Sequence, residues 1–297
     1  MPSWQDFQPF IVSGLALGGV YALSGVGMVV LYQATGVVYL AFGAVGAMGA
    51  LIAWSLINAG VPGWVGWLAC VAFAGVVTLG YGMVFGPALA KRDPLIKAVA
   101  TLGLTLVLFG LMDLLWTTSG GESRAITLPT DNSGFMIGQV QVNWTQVLGL
   151  GVGVAITVGI GAFLRYTKLG TAMRAMAGDR EITATLGVPV RRVEAAAWLG
   201  CGVLAGVAGL LLADLVALDA TTLTFLVISS LAAALIARLR SITLTFVAAI
   251  VVGVVHDLLT PVQSLTNYRD MTPFVLAAVA LLVLSRRRVM TSSREEM

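Results

Sequence analysis

The stretch YTKLGTAMRAMAGDREITATLGVPVRR, residues 166–192, separates two long apolar parts of this chain. Its residues 171–186 have a composition compatible with a helix, and Gly187 and Pro189 follow as stop signals. A polar helical insertion in an otherwise apolar chain is typical of a membrane protein that meets a soluble partner. An amphipathic helix resting in the headgroup layer has the same length and charge, so composition alone leaves both interpretations open.

The composition around this stretch indicates an integral membrane protein. Hydrophobic residues make up 58% of the chain and charged residues 10%, and the mean hydropathy is +0.95. A soluble domain has roughly 25% charged residues. Several apolar runs reach the roughly 20 residues that a helix needs to cross a bilayer, whereas a barrel strand needs only about ten. We therefore predict an all-α, polytopic membrane protein with about eight to ten transmembrane helices.

Hydropathy and helix breakers predict nine crossings. They lie at about 8–32, 36–58, 64–90, 95–117, 144–165, 191–213, 220–237, 241–260 and 271–285. With the basic tail 286–297 in the cytoplasm, only Arg124 and Arg269 of the 17 lysines and arginines fall outside, as the positive-inside rule requires. This orientation places the N-terminus outside and the C-terminus in the cytoplasm. It also accounts for the net charge of +3 without a nucleic-acid-binding patch.

The order of crossings suggests a single domain, residues 1–297, built on an inverted repeat. Crossings one to four would run in the opposite sense to crossings six to nine, a recurrent plan in transporters, whose path lies between the repeats. Each half has one Gly- or Thr-rich, interrupted segment, at 36–49 and at 221–230. From these segments we predict that Tyr39, Phe42, Gly43, Thr222, Thr224 and Ser229 line the path. For most of the 35 glycines, including Gly14 and Gly18, close helix packing is the ordinary interpretation.

Nothing in the sequence predicts an enzyme or a cofactor site. No G-x-x-x-x-G-K-[ST] loop is present, so the chain is not expected to hydrolyse ATP. His256 and Asp257 are adjacent, with no nucleophile placed beside them, and we expect them to form a polar, interfacial end of the eighth crossing. Cys70 and Cys201 fall within predicted spans and are expected to be small buried hydrophobes.

The ionisable residues also bear on how transport is driven. They gather near the ends of the predicted spans, where Asp113 and Glu194 are examples, and leave no evident relay at mid-membrane. Such a pattern is unusual for an ion-coupled carrier. A self-contained secondary carrier or facilitator nevertheless remains the alternative to a permease that is driven by another subunit.

Several motifs resemble one transporter family. They are GLALGGVYAL at 14–23, TGVVYLAFGA at 35–44, TKLGTAMRAMAGD at 167–179, ATLGVPV at 184–190 and AALIARLRS at 233–241. Together they are similar to the LivH group, the integral-membrane permeases of branched-chain amino acid type ATP-binding cassette (ABC) importers. The resemblance covers most of the chain, and the 167–190 match is its most specific part.

The resemblance implies a role for the polar stretch and a set of partners. Residues 167–188 would form the coupling helix that fits a groove of a cytoplasmic ATP-binding subunit. The positions matching the family motif are Gly170, Arg174, Ala175, Asp179, Ala184 and Gly187. The implied importer lies in the bacterial plasma membrane and comprises two permease subunits, similar or identical, two ATP-binding subunits that carry the ATP, and an external substrate-binding protein. A local capping or pairing role for Arg174 and Asp179 is the alternative.

One departure from the family concerns the predicted path. Family members usually have Asn-Phe-Ala-His-Gly where this chain has YLAFG at 39–43. Tyr39 and Phe42 thus replace two polar side chains, and the path is expected to be more apolar and aromatic. The implied cargo is a branched-chain amino acid or a related small polar or aromatic solute.

Overall fold

The structure, a computed structural model, describes residues 4–90, 92–116, 134–137, 140–216, 218–261, 271–280 and 282. The predicted basic tail 286–297 and the two basic residues expected outside, Arg124 and Arg269, lie beyond the described residues.

The described chain is helical except for one short hairpin. The helices are α1 (Trp4–Thr35), α2 (Phe42–Asn58), α3 (Gly63–Leu89), α4 (Pro94–Trp116), α5 (Trp144–Tyr166), α6 (Lys168–Gly178), α7 (Arg180–Thr185), α8 (Val190–Leu215), α9 (Ala220–Ile236), α10 (Ile242–Leu258) and α11 (272–280). Strands β1 (Gly134–Ile137) and β2 (Val140–Asn143) pair antiparallel, with Gly134 opposite Asn143. Each predicted crossing coincides with one helix, whereas the hairpin was not predicted.

Length and composition confirm a polytopic helical membrane protein. Among the described residues, five helices are long and apolar enough to cross a membrane: α1, α3, α4, α5 and α8. Three shorter apolar helices, α2, α9 and α10, have 17 residues each. At 1.5 Å per residue they are about 26 Å long, near the lower limit for a crossing. The inverted repeat stays a prediction.

Helix α1 forms the centre of the bundle. Its most apolar window is 89% buried, against 28% for α4 and 17% for α5, and it packs on α5, α8, α9 and α10. It approaches α10 closely, where Gly14 and Gly18 lie against the backbone of Val254 and Ile250. A Cβ at either glycine would overlap that backbone, so the packing interpretation of these two residues agrees with the structure.

One expectation about a boundary was wrong. The second crossing begins at Phe42 instead of residue 36, because Gly36 adopts φ +68° at the end of α1 and the chain is irregular over 37–41. His256 and Asp257 lie in the last turn of α10, at the end of the eighth predicted crossing, and their position at the membrane interface stays a prediction. Both are buried, with His256 Nδ1 3.2 Å from Asp257 Oδ1, because the last turn of α10 is covered by the bundle.

Candidate coupling segment and translocation path

Helix α6 presents one face to the bundle and one face outward. Met173 and Met176 are buried and belong to the main hydrophobic core. Gly170 lies against the carbonyl of Phe163, so that a Cβ there would overlap the end of α5. Arg174 is exposed on the opposite face. The apolar face of α6 is therefore occupied by the bundle.

The predicted helix 171–186 is in fact two helices that meet at Asp179. The backbone of Asp179 is extended (φ −151°, ψ 116°). The Asp179 carboxylate accepts hydrogen bonds from the backbone N–H groups of Glu181 (2.8 Å) and Ile182 (3.0 Å). Aspartate after glycine favours this N-cap over a continuous helix. The capping alternative weighed for Asp179 is thus the one the structure supports.

Helix α7 exposes two large apolar side chains. Ile182 is 60% exposed and Leu186 77% exposed, whereas Thr183 between them is buried. The helix ends at Thr185, Leu186 is its C-cap residue, and Gly187 follows with φ +83°. Large apolar side chains exposed beside charged ones are typical of a surface that binds a protein or a membrane. We call the exposed side of α6 and α7, with Arg174, Ile182 and Leu186, the outer face.

The six residues predicted for coupling all lie on this segment. Gly170 is buried against α5, and the other five are exposed: Arg174, Ala175, Asp179, Ala184 and Gly187. Their role in coupling stays a prediction. Sequence reasoning missed Ile182 and Leu186 as members of the outer face, although their i,i+4 spacing on a polar segment was a usable signal.

A charge cluster joins this segment to the transmembrane helices, and it too was missed. Arg180 Nη2, at the start of α7, lies 2.6 Å from Glu194 Oε1 on α8. Lys97 on α4 interacts electrostatically with both residues and is itself only 9% exposed. The sequence signal for this cluster was Lys97, a lysine in the first turn of an apolar helix, because a buried lysine is rare unless it is paired.

Tyr39, predicted to line the path, is fully buried in an aromatic cluster. Its ring packs edge-on against Trp198 at 5.4 Å between centroids, and Tyr81 lies 5.7 Å from the same indole. The Tyr39 hydroxyl is 3.2 Å from Thr78 Oγ1. Gly82 makes room for the indole, because a Cβ at that position would fall on the Trp198 ring. In this conformation Tyr39 joins α3 to α8.

The irregular stretch before α2 is held by one residue of α4. The hydroxyl of Thr101 accepts a hydrogen bond from the Leu40 N–H (3.1 Å) and lies within hydrogen-bonding distance of the Val38 carbonyl (3.0 Å). Backbone groups that are not in a helix need such partners inside a membrane protein. Thr101 is completely buried, so no water substitutes for it.

We expect Thr101→Val to loosen this stretch. The variant keeps the shape of the side chain but leaves the Leu40 N–H without its partner, which costs about 1–3 kcal/mol for a buried group. The measurement is unfolding in detergent, together with hydrogen exchange of residues 36–41. Thr105→Val is the matched control, since that hydroxyl donates only to the Thr101 carbonyl of its own helix. Equal effects of the two substitutions would contradict the clamp.

Phe42 and Gly43 lie at a closed contact between the two halves of the chain. They line a slot of about 10 Å³, room for no more than one water molecule. The other lining residues are Gly46, Ala47, Ala205, Ala208, Gly209, Leu212, Leu223 and Val227. Gly43 also lies directly against the backbone of Thr224 on α9. The walls of this slot are apolar throughout.

The structure thus brings together only part of the predicted path. Phe42, Gly43 and Thr224 meet where α2 packs on α9. Thr222 is exposed at the start of α9 and donates hydrogen bonds from its backbone N–H and its hydroxyl to the Asp219 carboxylate. Ser229 is buried farther along α9. Whether these residues line the path stays a prediction.

Comparison with known sequences places the chain among transporter subunits. The family model described as "Branched-chain amino acid transport system / permease component" matches residues 10–284. The high-affinity branched-chain amino acid transport system permease protein LivH of Escherichia coli is 26% identical over 291 residues, 92% of each chain. The corresponding protein BraD of Pseudomonas aeruginosa is 26% identical over 301 residues, 95% of each chain.

Two further likenesses extend this picture. The fructose import permease protein FruG of Bifidobacterium longum is 26% identical over 185 residues, 59% of this chain and 51% of the relative. Among solved structures, PsaBC from Streptococcus pneumoniae in complex with Fab matches with a TM-score of 0.51 and 14% identity. This match covers 93% of this chain and 89% of that chain. At this identity the structural likeness shows the fold alone.

Proposed function

This chain belongs to the family of branched-chain amino acid transport system permease components, and we propose that it carries an amino acid with an apolar or aromatic side chain. It is a multi-pass, non-catalytic permease subunit of an ABC importer, and no cofactor is expected in it. Such a permease implies ATP-binding and substrate-binding partners. A second permease subunit, similar or identical to this one, would complete the path.

The apolar slot at Phe42 and Gly43 supports this class of cargo. A sugar path needs hydroxyl-binding side chains, and FruG is named for fructose import. The slot between α2, α8 and α9 presents only aliphatic, aromatic and glycine surface. Such walls suit the side chain of a branched-chain or aromatic amino acid better than a polyhydroxylated ring. The external binding protein would contribute the rest of the selectivity.

The outer face of α6 and α7 is the proposed docking site of the ATP-binding subunit. Buried methionines fix α6 to the bundle, while Arg174, Ile182 and Leu186 point away from it. A movement of the bound ATPase would therefore be passed to the bundle through a rigidly seated helix. ATP binding drives transport only if these contacts differ between the two conformations of the permease.

The positions of the basic residues support the orientation. Every described lysine and arginine lies in or beside one of the connections α3–α4, α5–α8 and α9–α10, which alternating crossings place at one end of the bundle: Arg92, Lys97, Arg165, Lys168, Arg174, Arg180, Arg191, Arg192, Arg238 and Arg240. This is the end where α6 and α7 lie, and we name it the basic end. The positive-inside rule makes it the cytoplasmic end in a bacterial plasma membrane, with the N-terminus outside and the C-terminus inside.

Purification from the native membrane tests this function. The tagged chain is isolated in mild detergent, the co-purifying subunits are identified by mass spectrometry, and the complex is reconstituted in liposomes. We expect an ATP-binding subunit to be retained and uptake of leucine, isoleucine, valine or phenylalanine to require both ATP and a binding protein. Uptake by the chain alone without nucleotide would instead make it a self-contained carrier.

Phe42→His is expected to change which solute is carried. A histidine in the slot adds a hydrogen-bonding group to walls that now have none, and it should favour a more polar cargo. Uptake of phenylalanine, leucine and a polar amino acid by the reconstituted importer measures the preference. We expect the ratio of polar to apolar uptake to rise by about tenfold, the range that one polar contact can give. An unchanged ratio would assign Phe42 to packing alone.

A further inference from the structure

The charge cluster at the basic end connects three elements that are otherwise weakly joined. Arg180 belongs to α7, Glu194 to α8 and Lys97 to α4, and the only close pair is Arg180 with Glu194 at 2.6 Å. Glu194 also interacts electrostatically with Lys97 and Arg191. One carboxylate therefore faces three cations. Because Lys97 is buried, it depends on this carboxylate for compensation more than an exposed lysine would.

Helix α4 connects the charge cluster to the stretch of chain that precedes the slot. Lys97 is one helical turn before Thr101, the residue that holds the backbone of Val38 and Leu40. The side chain of Lys97 also reaches Gly36, where α1 ends, since its Nζ lies 3.6 Å from the position of a Cβ there. Both contacts act on the stretch 36–41, and α2 begins directly after it at Phe42. A shift of α4 would therefore move Phe42.

Glu194 has room to change its partner. Its side chain is 17% exposed and lines a cavity of about 230 Å³ between α3 and α8, together with Arg191, Met83 and Trp198. Arg180, its present partner, is 39% exposed and belongs to the short helix α7. When α7 moves, the cavity gives the Glu194 side chain space to separate from Arg180, and Lys97 and Arg191 are the other cations with which it interacts electrostatically. Two discrete pairings of this kind are what mechanical coupling between distant sites requires.

We propose that Glu194 is a positioning residue that exchanges Arg180 for Lys97 and thereby passes the movement of α7 to α4 and the slot. The inference rests on the proposed function, because α7 moves only if an ATP-binding subunit is docked on it. In the conformation described here Glu194 holds α7 to α8. In the alternative conformation the same carboxylate would hold α4 to α8, and Thr101 would carry the shift to Leu40 and Phe42.

The test compares three variants of the complete importer, purified from its native membrane and reconstituted in liposomes. Glu194→Gln removes the charge but keeps the shape. Glu181→Gln is the matched control, since it neutralises an exposed acid in the first turn of α7 that forms no ion pair within the described residues. The charge swap Arg180→Glu with Glu194→Arg restores a pair of opposite charges. The readouts are retention of the ATP-binding subunit, ATP hydrolysis, and solute transported per ATP.

We expect Glu194→Gln to retain the ATP-binding subunit and to hydrolyse ATP. The amount of solute transported per ATP should fall about tenfold, a fold-change typical of coupling between two sites. Glu181→Gln should transport normally. The swap should keep the link between α7 and α8 but stay as poorly coupled as Glu194→Gln, because an arginine at position 194 cannot pair with Lys97. A purely structural role would lower retention of the subunit and transport together, and would leave the ratio unchanged.

Two results would overturn the inference. One is a Glu194→Gln importer that transports as much per ATP as the wild type. The other is an assembled swap that is coupled as well as the wild type, because the exchange of Arg180 for Lys97 would then be unnecessary. A wild-type chain that retains no ATP-binding subunit is a different failure. It would overturn the proposed function itself.

Discussion

Replacing Leu186 with aspartate is expected to remove the ATP-binding subunit from the complex. Leu186 is 77% exposed on the outer face of α7, one turn from Ile182, which is 60% exposed. An apolar anchor at the centre of an interface contributes about 2 kcal/mol or more, and a buried unpaired charge opposes binding further. The loss corresponds to about 30-fold or more in affinity. Retention of the ATPase in a detergent pull-down measures it, with ATP-driven uptake as the second readout.

A matched control separates docking from a general effect of the new charge. Leu95 is also an exposed leucine at the basic end, 75% accessible, but it lies on α4 instead of on α7. We expect Leu95→Asp to retain the ATP-binding subunit. Equal loss from both variants would show that the outer face has no special role. The double replacement of Arg174 and Asp179 is a less direct test, because Asp179 also caps α7.

Gly82→Ala should be the most damaging single methyl group that can be added to α3. Its Cβ would overlap the Trp198 indole, which is buried and packs against Tyr39, Tyr81 and the backbone of Gly82. Overpacking of a rigid site costs about 1–3 kcal/mol, and displacement of the indole would disturb Tyr39 as well. We expect a lower unfolding midpoint in detergent and loss of transport.

The neighbouring glycine supplies the comparison. A Cβ on Gly80 meets nothing within 4 Å, so Gly80→Ala should be neutral or stabilising by about 0.5–1 kcal/mol through helix propensity. Combining Gly82→Ala with Trp198→Leu should recover part of the lost stability, because a smaller side chain leaves room for the methyl group. If Gly82→Ala unfolds at the same point as Gly80→Ala, the close contact does not exist in the protein.

The helices could be predicted because the membrane imposes one dominant signal. Long apolar runs separated by charged or Pro- and Gly-containing breaks predicted the long apolar helices of the described chain to within a few residues, apart from the start of α2. That start could not be read, since GVVYLA at 36–41 is as apolar as the helix that follows. The start of α2 is set by the left-handed backbone conformation of Gly36 and by the hydrogen bond that the Leu40 N–H donates to Thr101. Thr101 lies more than 60 residues farther along the chain.

The candidate site was predictable only where its chemistry is local. The polar segment and the cap at Asp179 follow from neighbouring residues, although the break between α6 and α7 was missed. The aromatic cluster and the charge cluster each join residues from distant helices, such as Tyr39 with Trp198 and Lys97 with Glu194. Periodicity and composition hold no information on such pairs. Local sequence placed Tyr39 on the path, but it could not show that the side chain is buried between α3 and α8.

The docking of α7 is the central claim, and a single cysteine tests it directly. The chain has two cysteines, Cys70 and Cys201, both buried, so Leu186→Cys adds a uniquely accessible thiol for a photo-cross-linker. In the purified importer we predict a cross-link to the ATP-binding subunit from Leu186→Cys and none from Val158→Cys, a position on α5 that is also exposed. An intact importer in which the thiol at position 186 never reaches the ATP-binding subunit would contradict the account.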